Sequence, residues 1–464
     1  MSGNEPTFPA TKVVVVMVPF VAQGHLTQLY HLSHLISTYN LPIHFITTTD
    51  CLHQLHSRHH ISAVENIHFH EFTTPPFTSP PPHPSTPFPT HLQPLFNSTL
   101  HLRHPTATLI RHLSQHVQKV VVIHDVLMSY VVQDVKLIPN AETYVFQPPP
   151  AFYRASGHWE RTGGSRTFPV EPDLMKKLPS RDGISSPEFL EFLKLQQSHM
   201  DFYVGELYDS SRVIEGVFFE YLEKEQIIGD KKIWAVGPVN PVCIASNATD
   251  LINRHECLQW LDKQPANSVI YVSFGTTTTF SDEQIRELAL GLERSGQRFV
   301  WVVRVADTGD SVGFEERKVE LPDGFEERVR GRGFIERSWA PQLEILGHCA
   351  TGGFMSHCGW NSCMESMSMG VPIAAWPMHS DQPRNAFLIT DILGIGVLVK
   401  NWERRNELVK ANVVADAVKT LMGSEEGGEM RRRAVKLGGE VKESVAEGGA
   451  SRKEMDSFIS YIGL

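Results

Sequence analysis

At 464 residues the chain is longer than one core can serve, since cores stop growing at roughly 250–300 residues, and two domains are expected. Its 41% hydrophobic and 20% charged content excludes a disordered or fibrous protein. A net charge of −10 excludes the basic field that nucleic acid or an anionic membrane would need, which leaves small molecules as the expected ligands.

The first element is "KVVVVMV" at 12–18, whose unbroken β-branched run suits a parallel strand buried on both faces. The apolar stretch Val13–Ala22 contains Pro19 and falls well short of the about 20 residues of a membrane span, so no membrane insertion is expected. No basic flank or small-residue cleavage site frames it, and a cytoplasmic location is expected. "PFVAQGHLTQL" (19–29) then turns into a helix in which Leu29, Leu32, Leu35 and Ile36 recur at helical spacing. A nucleotide-binding turn would carry glycines here, whereas this one carries His25.

"LPIHFITT" and "KVVVIHD" (119–125) read as further strands, the second ending in Asp125, which gives a βαβ rhythm. Between them "TTPPFTSPPPHPSTPFP" (73–89) is too rich in proline for a helix or central strand and is expected to be an extended surface loop. Residues 148–207 show little periodicity and are expected to form loops and short helices around a cleft. The Gly, Pro, Asn and Ser of 235–250 mark an interdomain linker. A second alternating series starts at "SVIYVSFGT" (268–276), continues through a helix opened by a Ser281/Gln284 capping box, and returns in "QRFVWVVR". The last sixty residues carry no strand signal and read as helices. The expected fold is therefore α/β, two Rossmann-like doubly wound parallel-sheet domains. Their expected bounds are 1–238 and 255–445, with a linker at 239–254 and a C-terminal helix at 446–464 that packs back on the first domain.

The six cysteines form no CxxC pair and read as free thiols. His68 and His70 would share one strand face, but no third or fourth ligand accompanies them in the sequence, and no metal site is expected.

The densest chemistry lies in Trp339–Gln382, 44 residues. "TGGFMSH" reads as a strand ending in His357, followed by the turn "CGWNS" and a helix from about Asn361. A helix N-terminus favours phosphate, and the Ser362 hydroxyl with a cation-capable His357 would add to it. Glu365 faces the same opening and suits ribose hydroxyls, while Asp381 and Gln382 suit those of a sugar. Each also has a plain alternative: an ordinary capped helix start, a core tryptophan at 339, a polar loop at 381–382. His25 and Asp125 both sit at the carboxyl edge of the first sheet, where ligands bind in such folds. They fit a base with its orienting carboxylate, or a solvated helix-start histidine with a strand-end cap.

The 44-residue segment resembles the plant secondary product glycosyltransferase signature, the donor-binding stretch of plant family 1 UDP-glycosyltransferases, from its first Trp to its last Gln. "SRVIEG", "VIYVSFGTTTT" and "HSDQPRNA" also stand where that family has landmarks. The resemblance implies the GT-B arrangement, with the two domains facing across a cleft. It implies that Trp339, with Ala340 beside it, stacks on uracil, that Gln342 holds the base and that Glu365 binds ribose. His357, Asn361 and Ser362 would bind the diphosphate, Trp360 the adjoining sugar-phosphate, and Asp381 and Gln382 the sugar. The final Gln leans towards glucose, with xylose as the alternative. His25 and Asp125 would be the catalytic dyad. "AQGHLTQLYHLSHLI", "NIHFHEF" and "PPFTSPPP" are most similar to zeatin O-glucosyltransferases and O-xylosyltransferases.

The implied function is inverting transfer of glucose from UDP-glucose to a small hydrophobic acceptor, the side-chain hydroxyl of a zeatin-type cytokinin. O- or C-glucosylation of flavonoids or other phenols is the alternative, and an inactive sugar-nucleotide or hormone-binding protein a second one. No D-x-D sequence suits a metal-bound nucleotide sugar, so leaving-group charge falls to the helix N-terminus, His357, and Ser273 and Thr276 in "SFGT". No metal and no permanently bound cofactor are expected, and the chain is expected to be a monomer. An NAD-dependent oxidoreductase lacks its GxGxxG, and an α/β-hydrolase its GxSxG.

Overall fold

The computed structural model describes residues 12–58, 66–164, 167–183, 185–244, 254–304, 306–307 and 319–463. Residues 245–253 of the expected linker lie outside these. The first sheet contains β1 (Val13–Val18), β2 (Ile43–Thr48), β3 (Ile67–Phe72), β4 (Lys119–Asp125), β5 (Ala141–Gln147), β6 (Gly205–Tyr208) and β7 (Lys232–Ala235). They run parallel in the order β3-β2-β1-β4-β5-β6-β7. Every residue of β1 is buried, as its unbroken apolar run requires of a strand covered on both faces.

The second sheet contains β8 (Val269–Ser273), β9 (Arg298–Val302), β10 (Gly333–Glu336), β11 (Thr351–Ser356), β12 (Ile373–Ala375) and β13 (Gly396–Leu398). Its order, β10-β9-β8-β11-β12-β13, is again all parallel. In both sheets the order reverses beside the founding strand, between β1 and β4 and between β8 and β11. Ligands of open α/β sheets bind at the carboxyl ends beside such reversals.

Five strands, β5 to β7 in the first sheet and β10 and β13 in the second, were not expected from the sequence. β6 and β7 have only four residues each, and β6 carries Glu206, whose buried carboxylate pairs with Arg154, so neither shows an apolar run. The capping box at Ser281 is half formed. Ser281 Oγ accepts the Gln284 N–H at 3.2 Å, but the Gln284 side chain turns away and exchanges two 2.9 Å hydrogen bonds with the backbone of Val409. Tertiary contact outbids the local motif.

The C-terminal helix Ala450–Tyr461 lies against the first sheet: Phe458 meets Trp234 of β7 and Tyr144 of β5 edge-on, each at 5.2 Å. The two domains also share apolar surface, with Phe152 stacked on Phe387 at 6.0 Å. The proline-rich stretch 73–89 forms no helix or strand, as expected. Its end is not a free surface loop, because Phe88 stacks flat on His379 of the second domain, 3.7 Å away at 2°. Among the described residues no helix is long and apolar enough to cross a membrane.

Candidate active site

β1 and β4 end level with one another, Val18 beside His124, so the turn after β1 and Asp125 emerge together at the first sheet's reversal. The turn leads into the helix Gln23–Ser37, and His25 stands in its first turn. His25 Nδ1 is 2.7 Å from Asp125 Oδ2, and Asp125 Oδ1 accepts the Leu127 N–H at 2.8 Å. The carboxylate is fully buried while His25 keeps 26% of its side chain exposed. With Nδ1 donating to Asp125, Nε2 is left as the basic atom. Burial of the ring lowers its basicity, but the charge and hydrogen bond of Asp125, helped by Asp381, prevail, and its pKa lies above the ordinary 6.5. Phe20 meets the His25 ring edge-on at 5.4 Å. Phe96 and Phe192 stand 4.6 and 5.9 Å from Phe20, forming an apolar wall beside the base.

At the second sheet's reversal, His357 follows β11. Its ring lies against two glycines: a Cβ on Gly275 or Gly359 would stand 2.7 or 2.5 Å from Nε2. Gly275 has φ +72° and Cys358 φ +63°, and a non-glycine residue enters that region at a cost usually met at functional sites. The expectation of a cation-capable His357 is corrected. The residue is 8% exposed, burial pushes its pKa down to about 4, and the neutral ring can donate an N–H but carries no charge at neutral pH. Its buried Nδ1 has no hydrogen-bond partner among the described residues.

Among the described residues no side chain caps the start of the helix Trp360–Met369, so its leading N–H groups remain unclaimed by one of them. Gln342 Nε2 donates to Ser362 Oγ at 2.9 Å and to Glu365 Oε2 at 2.6 Å, which brings three of the expected residues into one cluster. Burial pushes the Glu365 carboxyl up to about 7, against the opposing Gln342 bond. Trp339 leaves 38% of itself exposed, and Ala340 is buried next to it. Ser273 is buried at the end of β8, and the Thr276 carbonyl accepts the Asp307 N–H at 2.7 Å.

Two expected side chains are occupied by the protein itself. Trp360 is 4% exposed, and its Nε1–H donates to the Asp209 carbonyl of the first domain at 2.6 Å, so its indole serves the domain interface and only its backbone N–H belongs to the helix opening. Gln382 Oε1 accepts the Met378 and His379 N–H groups at 2.9 and 3.0 Å, and its Nε2 donates to His379 Nδ1 at 3.2 Å. Among the described residues, the second amide hydrogen of Gln382 has no partner.

Asp381 accepts from Asn385 at 2.7 Å. Burial raises its pKa, while Asn385 and the His25 charge lower it. Asn361 Nδ2 donates to the Gly24 carbonyl at 2.8 Å, which brings the carboxyl edges of the two sheets together. The sequence reading missed Phe20, Phe88, Phe96, Phe192, Asp209 and His379. The aromatics are scattered along the chain with no shared period, and the lone Phe in "PSTPFP" was their one visible trace. His68 and His70 are joined by His44, whose Nδ1 lies 2.8 Å from His70 Nε2; among the described residues no group of three or more His, Cys, Asp or Glu is arranged to hold a metal ion.

Residues 11–241 match the family described as "Glycosyltransferase, N-terminal domain", and residues 237–426 that described as "UDP-glucoronosyl and UDP-glucosyl transferase". Zeatin O-glucosyltransferase of Phaseolus lunatus is 50% identical, covering 100% of both chains. Zeatin O-xylosyltransferase of Phaseolus vulgaris is 50% identical over 97% of this chain and 98% of its own. Among solved structures, a Glycyrrhiza uralensis glycosyltransferase, UGT73P12, complexed with glycyrrhetinic acid 3-O-monoglucuronide superposes with a TM-score of 0.78 at 26% identity, covering 97% of this chain and 96% of its own. TcCGT1 in complex with UDP gives a TM-score of 0.77 at 26% identity, covering 97% and 99%.

Proposed function

The chain belongs to the UDP-glucoronosyl and UDP-glucosyl transferase family, and from that premise we propose that it transfers glucose from UDP-glucose to the side-chain hydroxyl of a zeatin-type cytokinin, with inversion and without a metal. The 2.7 Å pair of His25 and Asp125 at the sheet reversal carries this reading, and the two relatives that are 50% identical, a zeatin O-glucosyltransferase and a zeatin O-xylosyltransferase, support zeatin as the acceptor.

His25 Nε2 takes the proton of the acceptor hydroxyl as its oxygen attacks the anomeric carbon. The bond from that carbon to the diphosphate breaks, and UDP leaves with the electron pair. Attack opposite the leaving group turns an α-linked donor into a β-glucoside. Asp125 holds the Nδ1–H tautomer and stabilises the imidazolium; such a base contributes about 10²–10⁴ in rate. In this reading the first domain, 1–238, binds the acceptor along the Phe20 and Phe96 wall, and the helix 446–464 returns to it. The second, 255–445 beyond the linker 239–254, binds the donor: Trp339, Ala340 and Gln342 take the uracil and Glu365 the ribose. Ser273, Thr276, His357, Asn361, Ser362 and the Trp360 N–H take the diphosphate, while Asp381 and Gln382 take the sugar. The departing charge meets neutral donors aimed from one helix N-terminus, the arrangement that oxyanion-type stabilisation requires.

The aromatic wall also suits a planar phenol, which keeps flavonoid O- or C-glucosylation as a second reading. Incubation of UDP-glucose, UDP-xylose and UDP-galactose with zeatin isomers and a flavonoid panel in EDTA, with mass spectrometry of the products, separates the readings. A zeatin β-glucoside formed in EDTA is expected. Turnover only with phenols would transfer the assignment to them, and no turnover with any pair would reduce the protein to a binder.

A further inference from the structure

We propose that Phe88, at the end of the proline-rich segment of the first domain, is a positioning residue for the donor sugar, acting across the cleft through its stack on His379 and from there on Gln382. The inference rests on the donor reading given above and names a residue outside the segment that carries it.

The contact is specific in geometry. The two rings lie 3.7 Å apart and within 2° of parallel, a face-to-face arrangement rather than incidental edge packing. His379 is held in its plane by two further bonds: Nδ1 faces Gln382 Nε2 at 3.2 Å and Nε2 faces Thr277 Oγ1 at 3.1 Å. Because Gln382 Oε1 is committed to the Met378 and His379 N–H groups, the amide orientation is fixed and its nitrogen must point at Nδ1. His379 therefore carries its proton on Nε2 and accepts on Nδ1, so it must stay neutral to hold Gln382. Burial, with His357 and His91 nearby, keeps its pKa well below the ordinary value. The turn is held in an uncommon backbone state, Ser380 having φ +60°, between His379 and the Asp381 and Gln382 pair. The two backbone bonds hold only the oxygen end of the Gln382 amide; the His379 ring is what orients its nitrogen end, so loss or rotation of that ring frees the amide plane to turn about Oε1 and misdirects the remaining amide hydrogen.

Phe88 is anchored on its own side as well. Its carbonyl accepts the Ser186 N–H at 2.9 Å, and Ser186 caps the helix Pro187–Gln197. That helix supplies Phe189, 6.5 Å from Phe88 and 5.8 Å from Phe96, which reaches Phe20 and so the His25 ring. A continuous aromatic path thus joins the base of the first domain to the sugar-facing turn of the second. Plain interdomain packing would use the same contacts, but it would treat a ligand with a sugar and one without it alike.

Calorimetric titration of the full chain with UDP and with UDP-glucose makes that distinction. Phe88→Ala is expected to weaken UDP-glucose binding about fivefold, within the range of one lost aromatic pair, while UDP binding stays within about twofold. Phe88→Tyr, which keeps the ring face, is expected to restore UDP-glucose binding to within about twofold of wild type. His379→Ala should repeat the Phe88→Ala loss, and the double variant should lose no more than either alone. Intact UDP binding reports that the variants are folded. Equal weakening of both ligands, or of neither, in Phe88→Ala overturns the positioning role while leaving the donor site standing. Wild-type protein that binds neither ligand overturns the donor reading and this proposal with it.

Discussion

Asn361, one residue into the helix that opens the second domain's site, donates its side-chain amide to the carbonyl of Gly24, the residue immediately before His25, at 2.8 Å. The residue proposed to meet the diphosphate and the turn that carries the proposed base are thus one hydrogen bond apart. Closing the domains fixes where His25 stands relative to the donor. Asn361→Ala removes this link with the proposed phosphate contact, and we expect kcat/KM to fall about 10- to 100-fold, or about 1.4–2.8 kcal/mol. Asn361→Ser, short but polar, should fall between. Steady-state kinetics with acceptor saturating and then limiting would test this, and an unchanged kcat/KM would remove the coupling.

The His25–Asp125 pair makes a prediction about pH. The folded pKa of His25 is raised above 6.5 chiefly by the Asp125 charge acting against burial, and only the neutral ring can accept a proton. Activity should therefore rise with pH through that raised pKa and fall below it. Asp125→Asn removes the raising charge but leaves burial, so the acid limb should move to lower pH while kcat drops about 10²–10⁴. His357 should add no limb between pH 5 and 9, because burial has already pushed it to about 4. A pH profile of kcat/KM for wild type and Asp125→Asn checks both statements. A limb that stays in place in Asp125→Asn would assign it to another group.

Glu365 titrates near neutrality, its carboxyl raised to about 7 by burial. A carboxylate accepts hydrogen bonds from ribose hydroxyls better than a protonated acid does, so bound nucleotide should favour the ionised form. UDP affinity is then expected to increase as pH rises through about 7, with protons released on binding below that point. Calorimetry in buffers of different ionisation enthalpy measures the proton count directly. Glu365→Gln should abolish the release and flatten the pH dependence, and release that persists in that variant would point to another group.

Much of this arrangement is legible in the amino-acid order, for identifiable reasons. β1, β4 and β8 are short apolar runs rich in Val and Ile, the pattern of a strand covered on both faces, so the sheets and their carboxyl edges could be read, and with them His25 and Asp125. β6 could not, because it places Glu206 inside the first domain against Arg154, and a buried ion pair looks like a polar stretch. The second-domain segment was legible as a set of residues but not as a set of orientations. Trp360 and Gln382 spend their polar atoms on Asp209 and on the 378–379 backbone, and those partners lie in another domain or within a turn. Phe88 was obscured for the converse reason: proline density identifies an irregular chain but does not say what the ring of Phe88, or of Phe77, lies against.

The two glycines against His357 are a place where a small substitution should be costly. In "SFGT" and "HCGWNS" neither glycine resembles a phosphate-loop fingerprint, yet a Cβ on Gly275 would meet the His357 ring at 2.7 Å, and its φ of +72° disfavours any side chain. The ring is buried and cannot retreat into solvent. Gly275→Ala is therefore expected to cost about 1–3 kcal/mol in stability through strain and overpacking, and to weaken UDP binding by displacing His357 from the helix opening. Gly359→Ala, with the same clash at 2.5 Å but φ −58°, carries the overpacking without the backbone strain and should be milder in stability while equally harmful to UDP binding. His357→Ala in the Gly275→Ala background relieves the clash, so part of the lost stability should return while UDP affinity does not. Thermal melts and UDP titrations on the three variants decide the matter. If His357→Ala restored nothing, the glycines would be there for backbone conformation alone and not to seat the imidazole.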